Sequence, residues 1–142
     1  MLSDSVISSA TIQAYLETHY FVRGDHPFVL RIGQVSHEVL ALYKRLRVDC
    51  AAFITGCNPF SHDVGELENQ QRQSALSAEL SRRSVTFIEG IGKHPSNNWP
   101  GEESFLVLGM DLEAAKKLGV HFEQNAIVWC GFDGIPQIIL LR

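Results

Sequence analysis

The run at residues 50–55, CAAFIT, is apolar on both alternations. A strand with nonpolar side chains on both faces belongs in the middle of a sheet, because an edge or half-solvated strand alternates polar and apolar positions. Such a strand needs helices packed over its sheet, and the flanking segments supply them. Ser36 is placed to cap a helix that runs to about Arg47, with Val39, Leu40, Tyr43 and Leu46 spaced for one buried face. After the break at Asn58-Pro59, a second helix is expected over about 64–83. Asp63 and Glu66 have the spacing of a capping box at its start, with Asp in place of the usual Ser or Thr.

The remaining segments extend this pattern. A short helix is expected over about 5–16, then a strand in THYFVR, the turn GDHP and a second strand in FVLRI. VTFIE reads as a strand, residues 90–101 as a loop and SFLVLG as another strand. Asp111 can cap a short helix that Gly119 ends in the left-handed conformation. AIVWC, the turn GFDG and PQIILL read as a terminal hairpin. The order is ββαβαββαββ with a helix before it. Hairpins at both ends and helical crossovers between them imply an α+β fold of α/β type, built on a single mixed β-sheet packed by helices. The length of 142 residues fits one domain over 1–142.

Composition narrows the function classes. A formal charge of −4, with 12 scattered Lys and Arg residues, argues against general nucleic-acid binding, which needs a clustered basic surface. No apolar run has the length of about 20 residues that a membrane span needs. The start MLSDSVISSATIQAY lacks a positive segment followed by an apolar one, so no leader is expected and the protein reads as cytoplasmic. Cys50, Cys57 and Cys130 lack CxxC spacing and read as reduced thiols. The histidines show no ligand spacing, so neither metal nor cofactor is expected.

One stretch points to a site. In ITGCNPFSHDVGELENQQRQ, the helix after the Asn58-Pro59 break places Asn69 about 20° and Arg72 about 40° from Leu76 around the helix axis, with Leu80 about 40° to the other side. The face that should be buried therefore turns polar toward its N-terminal end. Glu68 lies four residues before Arg72, at ion-pair spacing. Strand ends beside helix N-termini are favoured ligand crevices in α/β sheets. Arg72 could then grip a carboxylate or phosphate, and Asn69 could orient it. Equally, Arg72 could pair with Glu68 or a buried acid while Asn69 ties down the loop.

Other candidates carry similar alternatives. Cys57 is either a strand-end nucleophile or a small buried residue, and the second reading is favoured. His62 and Asp63 could assist a proton transfer or bind a metal, but Asp63 reads more simply as the helix cap and His62 as a solvated loop residue. Gly90 and Gly92 in EGIGKHP lack a full phosphate-loop pattern and are read as turn glycines. In NNWPGEES, Trp99 either stacks on a flat ligand or lids the core, and Glu102 or Glu103 either accepts a proton, pairs with Arg72 or is solvated. Gln124 and Asn125 stand at a strand entrance, to orient a ligand or cap backbone groups.

Taken together, FITGCNPFS, ENQQRQSAL, the glycines of EGIG, WPGEESFLVLG and QNAIVW resemble a bacterial family of unknown function, DUF3293, over about residues 20–140. The resemblance implies a small single-domain bacterial protein without an assigned activity. Its pattern matches this chain at Asn58, Pro59, Ser61, Glu68, Asn69, Arg72, Trp99, Glu103, Gln124 and Asn125. Cys57 falls at a variable position, which counts against a cysteine nucleophile.

The leading expectation is a polar pocket for a small anionic or nucleotide-like ligand. Asn58, Ser61, Glu68, Asn69 and Arg72 form one wall, Trp99, Gln124 and Asn125 arrive from other loops, and Glu103 is the candidate acid/base. The alternative is a protein-interaction or accessory module in stress or defence, compatible with a homodimer, in which the polar network only shapes loops.

Overall fold

The computed structural model describes residues 5–142. The reading of the first residues as free of a leader lies partly on residues 1–4, outside that range. The chain forms α1 (Ser9–Glu17), β1 (His19–Val22), β2 (Phe28–Leu30), α2 (His37–Leu46), β3 (Ala51–Ile54), a 3-10 turn (Pro59–Ser61), α3 (Glu66–Arg82), β4 (Thr86–Lys93), β5 (Glu102–Leu108), α4 (Leu112–His121), β6 (Ala126–Cys130) and β7 (Pro136–Leu140). The α+β class and the order of elements agree with the sequence. One sheet holds all seven strands in the order β2-β1-β4-β5-β3-β6-β7.

The sheet was expected to be mixed, yet every pairing in it is antiparallel. The reason lies in the crossovers. Helix α3 joins β3 to β4, and α4 joins β5 to β6, each pair pointing the same way. Neither pair is adjacent: β5 fills the first gap and β3 the second, and each filling strand runs the opposite way. Parallel connections thus interleave into an antiparallel ladder.

Strand β3 lies between β5 and β6, with all four residues buried, as the apolar run requires. Phe53, Leu106, Leu108, Val128 and Cys130 face Val39, Leu42 and Tyr43 of α2. On the other face, Ala52, Ile54, Phe105 and Val107 pack against Leu76 and Leu80 of α3 and Ala115 and Leu118 of α4. Burying a leucine side chain contributes about 1.5–3 kcal/mol, so these pairs anchor α3 to the sheet. No helix among the described residues is long and apolar enough to cross a membrane.

Local departures have local causes. Helix α3 starts at Glu66, its N-cap is Gly65 at φ 88°, and no side chain caps it. Asp63 instead accepts from the Gly65 N–H, closing a turn one step before the helix, so the expected capping box does not form. Helix α4 is capped by Asp111 as expected but continues past Gly119 to His121. Gly119 serves close packing, since a Cβ there would meet the Leu141 and Ile127 side chains at 2.6 and 2.8 Å. Gly90 and Gly92 lie within β4, paired with Val22 and Tyr20, and make no turn. A Cβ on Gly90 would come within 2.5 Å of the Phe21 carbonyl and 2.8 Å of the Phe53 ring. Backbone approach accounts for this glycine, and β4 consumes the first part of the expected loop.

Candidate functional site

Because neighbouring strands alternate in direction, one end of the sheet collects the ends of β3 and β4 and the starts of β1, β5 and β6. Four segments meet there: the loop after β3, the loop after β4, the Gln124-Asn125 entrance to β6, and α1 leading into β1. The loop after β3 is bent hard. Asn58, Phe60 and Ser61 have φ of 49°, 52° and 62°, in the left-handed region. Asparagine tolerates this region, whereas for an ordinary side chain it costs about 1–2 kcal/mol.

A dense polar network holds the bend. Asn58 and Asn69 form a reciprocal pair: the Asn58 backbone N–H donates to Asn69 Oδ1 at 2.8 Å, and Asn69 Nδ2 donates to Asn58 Oδ1 at 2.7 Å. Asn58 Nδ2 then donates to Glu102 Oε2 at 2.8 Å. Arg72 Nε donates to the Gly56 carbonyl at 2.6 Å, and its two terminal nitrogens donate to the Phe122 carbonyl at 2.6 Å and to Glu123 Oε1 at 3.3 Å. Phe122 caps the C-terminal end of α4, where exposed carbonyls favour a cation.

These contacts match the structural alternative for Asn69, which ties down the Asn58 loop, and give Arg72 partners other than Glu68. Arg72 clamps the β3 loop to the end of α4 and has no bond to Glu68, whose side chain is exposed one turn earlier in the helix. An anion grip by Arg72 is therefore not what the geometry offers. Asn69 stands behind Asn58 and fixes it.

Beneath α1 lies a cavity of about 370 Å³. Phe53, Val128 and Ile138 make its apolar floor, and Ala10, Ala14 and Tyr15 of α1 its roof. Asn58, Ser61, Trp99, Gln124 and Asn125 all line it, so five of the expected site residues are brought together. Their orientations are set by hydrogen bonds. Tyr15 Oη lies 2.5 Å from Ser61 Oγ, and Asn125 Nδ2 donates to both, at 3.0 Å to Ser61 and 3.2 Å to Tyr15. Asn125 Oδ1 accepts from Arg142 at 3.1 Å. Gln124 Nε2 donates to the Cys57 and Phe122 carbonyls. Trp99, 40% exposed, stands at the mouth.

The acid that reaches the cavity is Glu102, and Glu103 does not. Successive strand side chains point to opposite faces, so Glu102 shares its face with Ser104 and Leu106. Glu103 points to the other face and pairs with Arg23 at 2.7 Å, with its side chain 53% exposed. Burial pushes the Glu102 carboxyl above the usual carboxylate range, and the Asn58 hydrogen bond and nearby Trp99 pull partly the other way. Burial likewise raises the phenol of Tyr20, which donates to the Tyr15 carbonyl at 2.7 Å and stays neutral.

Sequence reasoning missed Glu102 as the preferred acid, along with Tyr15, Thr55 and His94, all on the cavity wall. Extending β5 two residues back from Ser104 would have sorted the two glutamates by face. His94 has no such signal: its Nδ1 accepts the Ser96 and Asn97 N–H groups, so its Nε2 carries the proton toward Glu17 Oε1 at 2.9 Å, joining the β4 loop to the end of α1. Cys57 is buried, its thiol faces the Glu103 carbonyl, and burial raises it, which suits a packed thiol better than a nucleophile. His62 and Asp63 are exposed outside the cavity. Among the described residues, no group of three or more His, Cys, Asp or Glu side chains could hold a metal ion.

Comparison with known proteins yields one match. The model of the family described as "Protein of unknown function (DUF3293)" covers residues 54–127, which span the Asn58 loop, α3, Glu102 and the Gln124-Asn125 entrance. No curated protein and no solved structure matches the chain. With more than half of its length matched by that model, the chain belongs to the DUF3293 family of proteins of unknown function.

Proposed function

We propose that this protein binds a small organic molecule in the cavity beneath α1. The observation that carries this reading is the convergence of Asn58, Ser61, Glu102 and Asn125, from three separate segments, on one apolar-floored cavity of about 370 Å³. That volume lies within the range of about 300–1,000 Å³ usual for small-molecule sites, and a few fixed polar groups over an apolar floor are the usual way to orient a ligand. The anionic ligand expected from Arg72 loses its support, because that guanidinium is committed to two carbonyls and Glu123. A flat, nucleobase-like body keeps its support from Trp99 at the mouth. The three buried free thiols suit a reducing, cytoplasmic setting.

The reading is tested by denaturing protein purified from cells and identifying released small molecules by mass spectrometry, for wild type and for Ala14→Trp, which fills the cavity from its roof. A compound released by wild type and missing from a folded Ala14→Trp supports it. Equal release from both places the ligand elsewhere.

A second reading, a protein-interaction or accessory module able to form a homodimer, is favoured by a different surface. Phe21 and Val29 are cross-strand partners on the edge hairpin, 36% and 39% exposed. Loss of a captured partner or of a dimer in Phe21→Ser, with Ala14→Trp unaffected, would move the function to that edge.

A further inference from the structure

Glu102 enters the cavity without a partner of opposite charge. Among the described residues, no lysine or arginine lines the cavity, and the groups that meet the carboxyl are neutral, the Asn58 amide at 2.8 Å and the nearby Trp99 side chain. The arginines at this end of the molecule are committed elsewhere. Arg23 pairs with Glu103 on the opposite face of the sheet. Arg72 holds the Gly56 and Phe122 carbonyls. Arg142 donates to Asn125 Oδ1 and lies over the Phe60 ring at 4.1 Å. The remaining basic group on the wall, His94, directs Nε2 at Glu17 and Nδ1 at two backbone N–H groups.

A carboxylate in an apolar site is costly unless it is paired and hydrogen-bonded. Here one oxygen, Oε2, is held by Asn58, which fixes the direction of the carboxyl. The surrounding rings suit positive charge as well. Tyr20 and Phe53 meet edge to face with centroids 5.3 Å apart on the wall, and Trp99 stands at the mouth. Aromatic faces attract organic cations, and a carboxylate forms its strongest hydrogen bonds with charged N–H donors.

Resting on the small-molecule reading above, we propose that the ligand is a small organic cation, an amidinium or ammonium carried on a flat or apolar body, with its charged N–H groups on Glu102 and its body over Phe53, Val128 and Ile138. The other polar groups of the wall, Ser61, Tyr15 and Asn125, bond chiefly to one another and set the shape of the polar end. Glu102 is the group that distinguishes a cation from its neutral or anionic counterpart.

Three probes of nearly equal shape and different charge test this: benzamidinium, benzamide and benzoate, titrated calorimetrically into wild type, Glu102→Gln and Ala14→Trp. The expected order in wild type is benzamidinium first, benzamide about tenfold or more weaker, as a hydrogen bond to a charged group implies, and benzoate weakest. Glu102→Gln is expected to lose the preference for benzamidinium while still binding benzamide, and Ala14→Trp to weaken all three. The wild-type order alone decides the matter if Glu102→Gln fails to fold. Equal binding of the three probes, blocked by Ala14→Trp, overturns the cation assignment and leaves the cavity reading standing. No binding of any probe, together with equal metabolite release from wild type and Ala14→Trp, overturns both.

Discussion

The Asn58 side-chain amide donates to the Glu102 carboxyl across 2.8 Å, linking the bent loop after β3 to the first residue of β5. Asn58 is buried, and its backbone is in the left-handed region at φ 49°. The same residue therefore has to satisfy an unusual backbone, two partners on α3 and its loop, and an inward-facing acid.

Replacing Asn58 separates these duties. Asn58→Gly keeps the left-handed backbone at no steric cost but loses the side-chain bonds to Glu102 Oε2 and Asn69 Nδ2, whereas Asn58→Ala loses the same bonds and adds backbone strain; both keep the backbone N–H bond to Asn69 Oδ1. Both variants should be destabilised, by about 2–4 kcal/mol for Ala, with Gly about 1 kcal/mol the better of the two. Urea unfolding of the pair checks this; Ala as stable as Gly would mean that the loop relaxes out of the left-handed region.

Glu102 has a pKa in the folded protein above its unfolded value, because burial disfavours the charged form. The fold thus favours the protonated acid. That contribution is complete below the unfolded carboxylate pKa and is lost as pH rises through the folded value. Glu102→Gln keeps an oxygen for Asn58 and removes the charge, so its melting temperature should exceed that of wild type near pH 8, with the gap closing toward about pH 4. A gap that does not change with pH would show that Glu102 bears no burial penalty.

Arg72 acts as a clamp. Arg72→Ala leaves the Gly56 carbonyl without its donor and the Phe122 carbonyl with Gln124 Nε2 alone, and should destabilise the protein by about 2–4 kcal/mol. Arg72→Lys should recover little, since a single ammonium cannot span the positions reached by the planar fork. Glu68→Ala, at an exposed position, should fall within about 0.5 kcal/mol of wild type. Thermal unfolding of the three distinguishes this account from an Arg72–Glu68 ion pair, which would make the first and third variants similar.

Much of this was legible in the residues. CAAFIT marked the central strand because its composition is apolar at every position, and Ser36 and Asp111 marked helix starts because a side-chain oxygen there meets a free N–H. Asn58, Ser61, Trp99, Gln124 and Asn125 stood out as polar residues at strand ends or in polar loops, and such loops collect at one end of a sheet. The roles of Arg72 and Glu103 were not legible. Arg72 depends on where the end of α4 lies, a contact between residues 50 apart in the chain. Glu103 is the glutamate that the family resemblance picks out, and a strand sorts neighbours by face only once its start, here Glu102, is known. The antiparallel sheet was hidden for a related reason: crossovers specify which strands run the same way, and only tertiary packing specifies what lies between them.

The most direct measurement is an amide NMR shift map of the folded protein with the compound that it releases on denaturation, or with benzamidinium as its stand-in. The account predicts perturbations grouped at Ala14, Ser61, Glu102 and Asn125, around the cavity, with little change on the exposed side of α3. Perturbations centred instead on Glu66, Gln70 and Ser74, which border the neighbouring cleft beside α3 that shares Asn58 and Glu102 with the cavity, would contradict it.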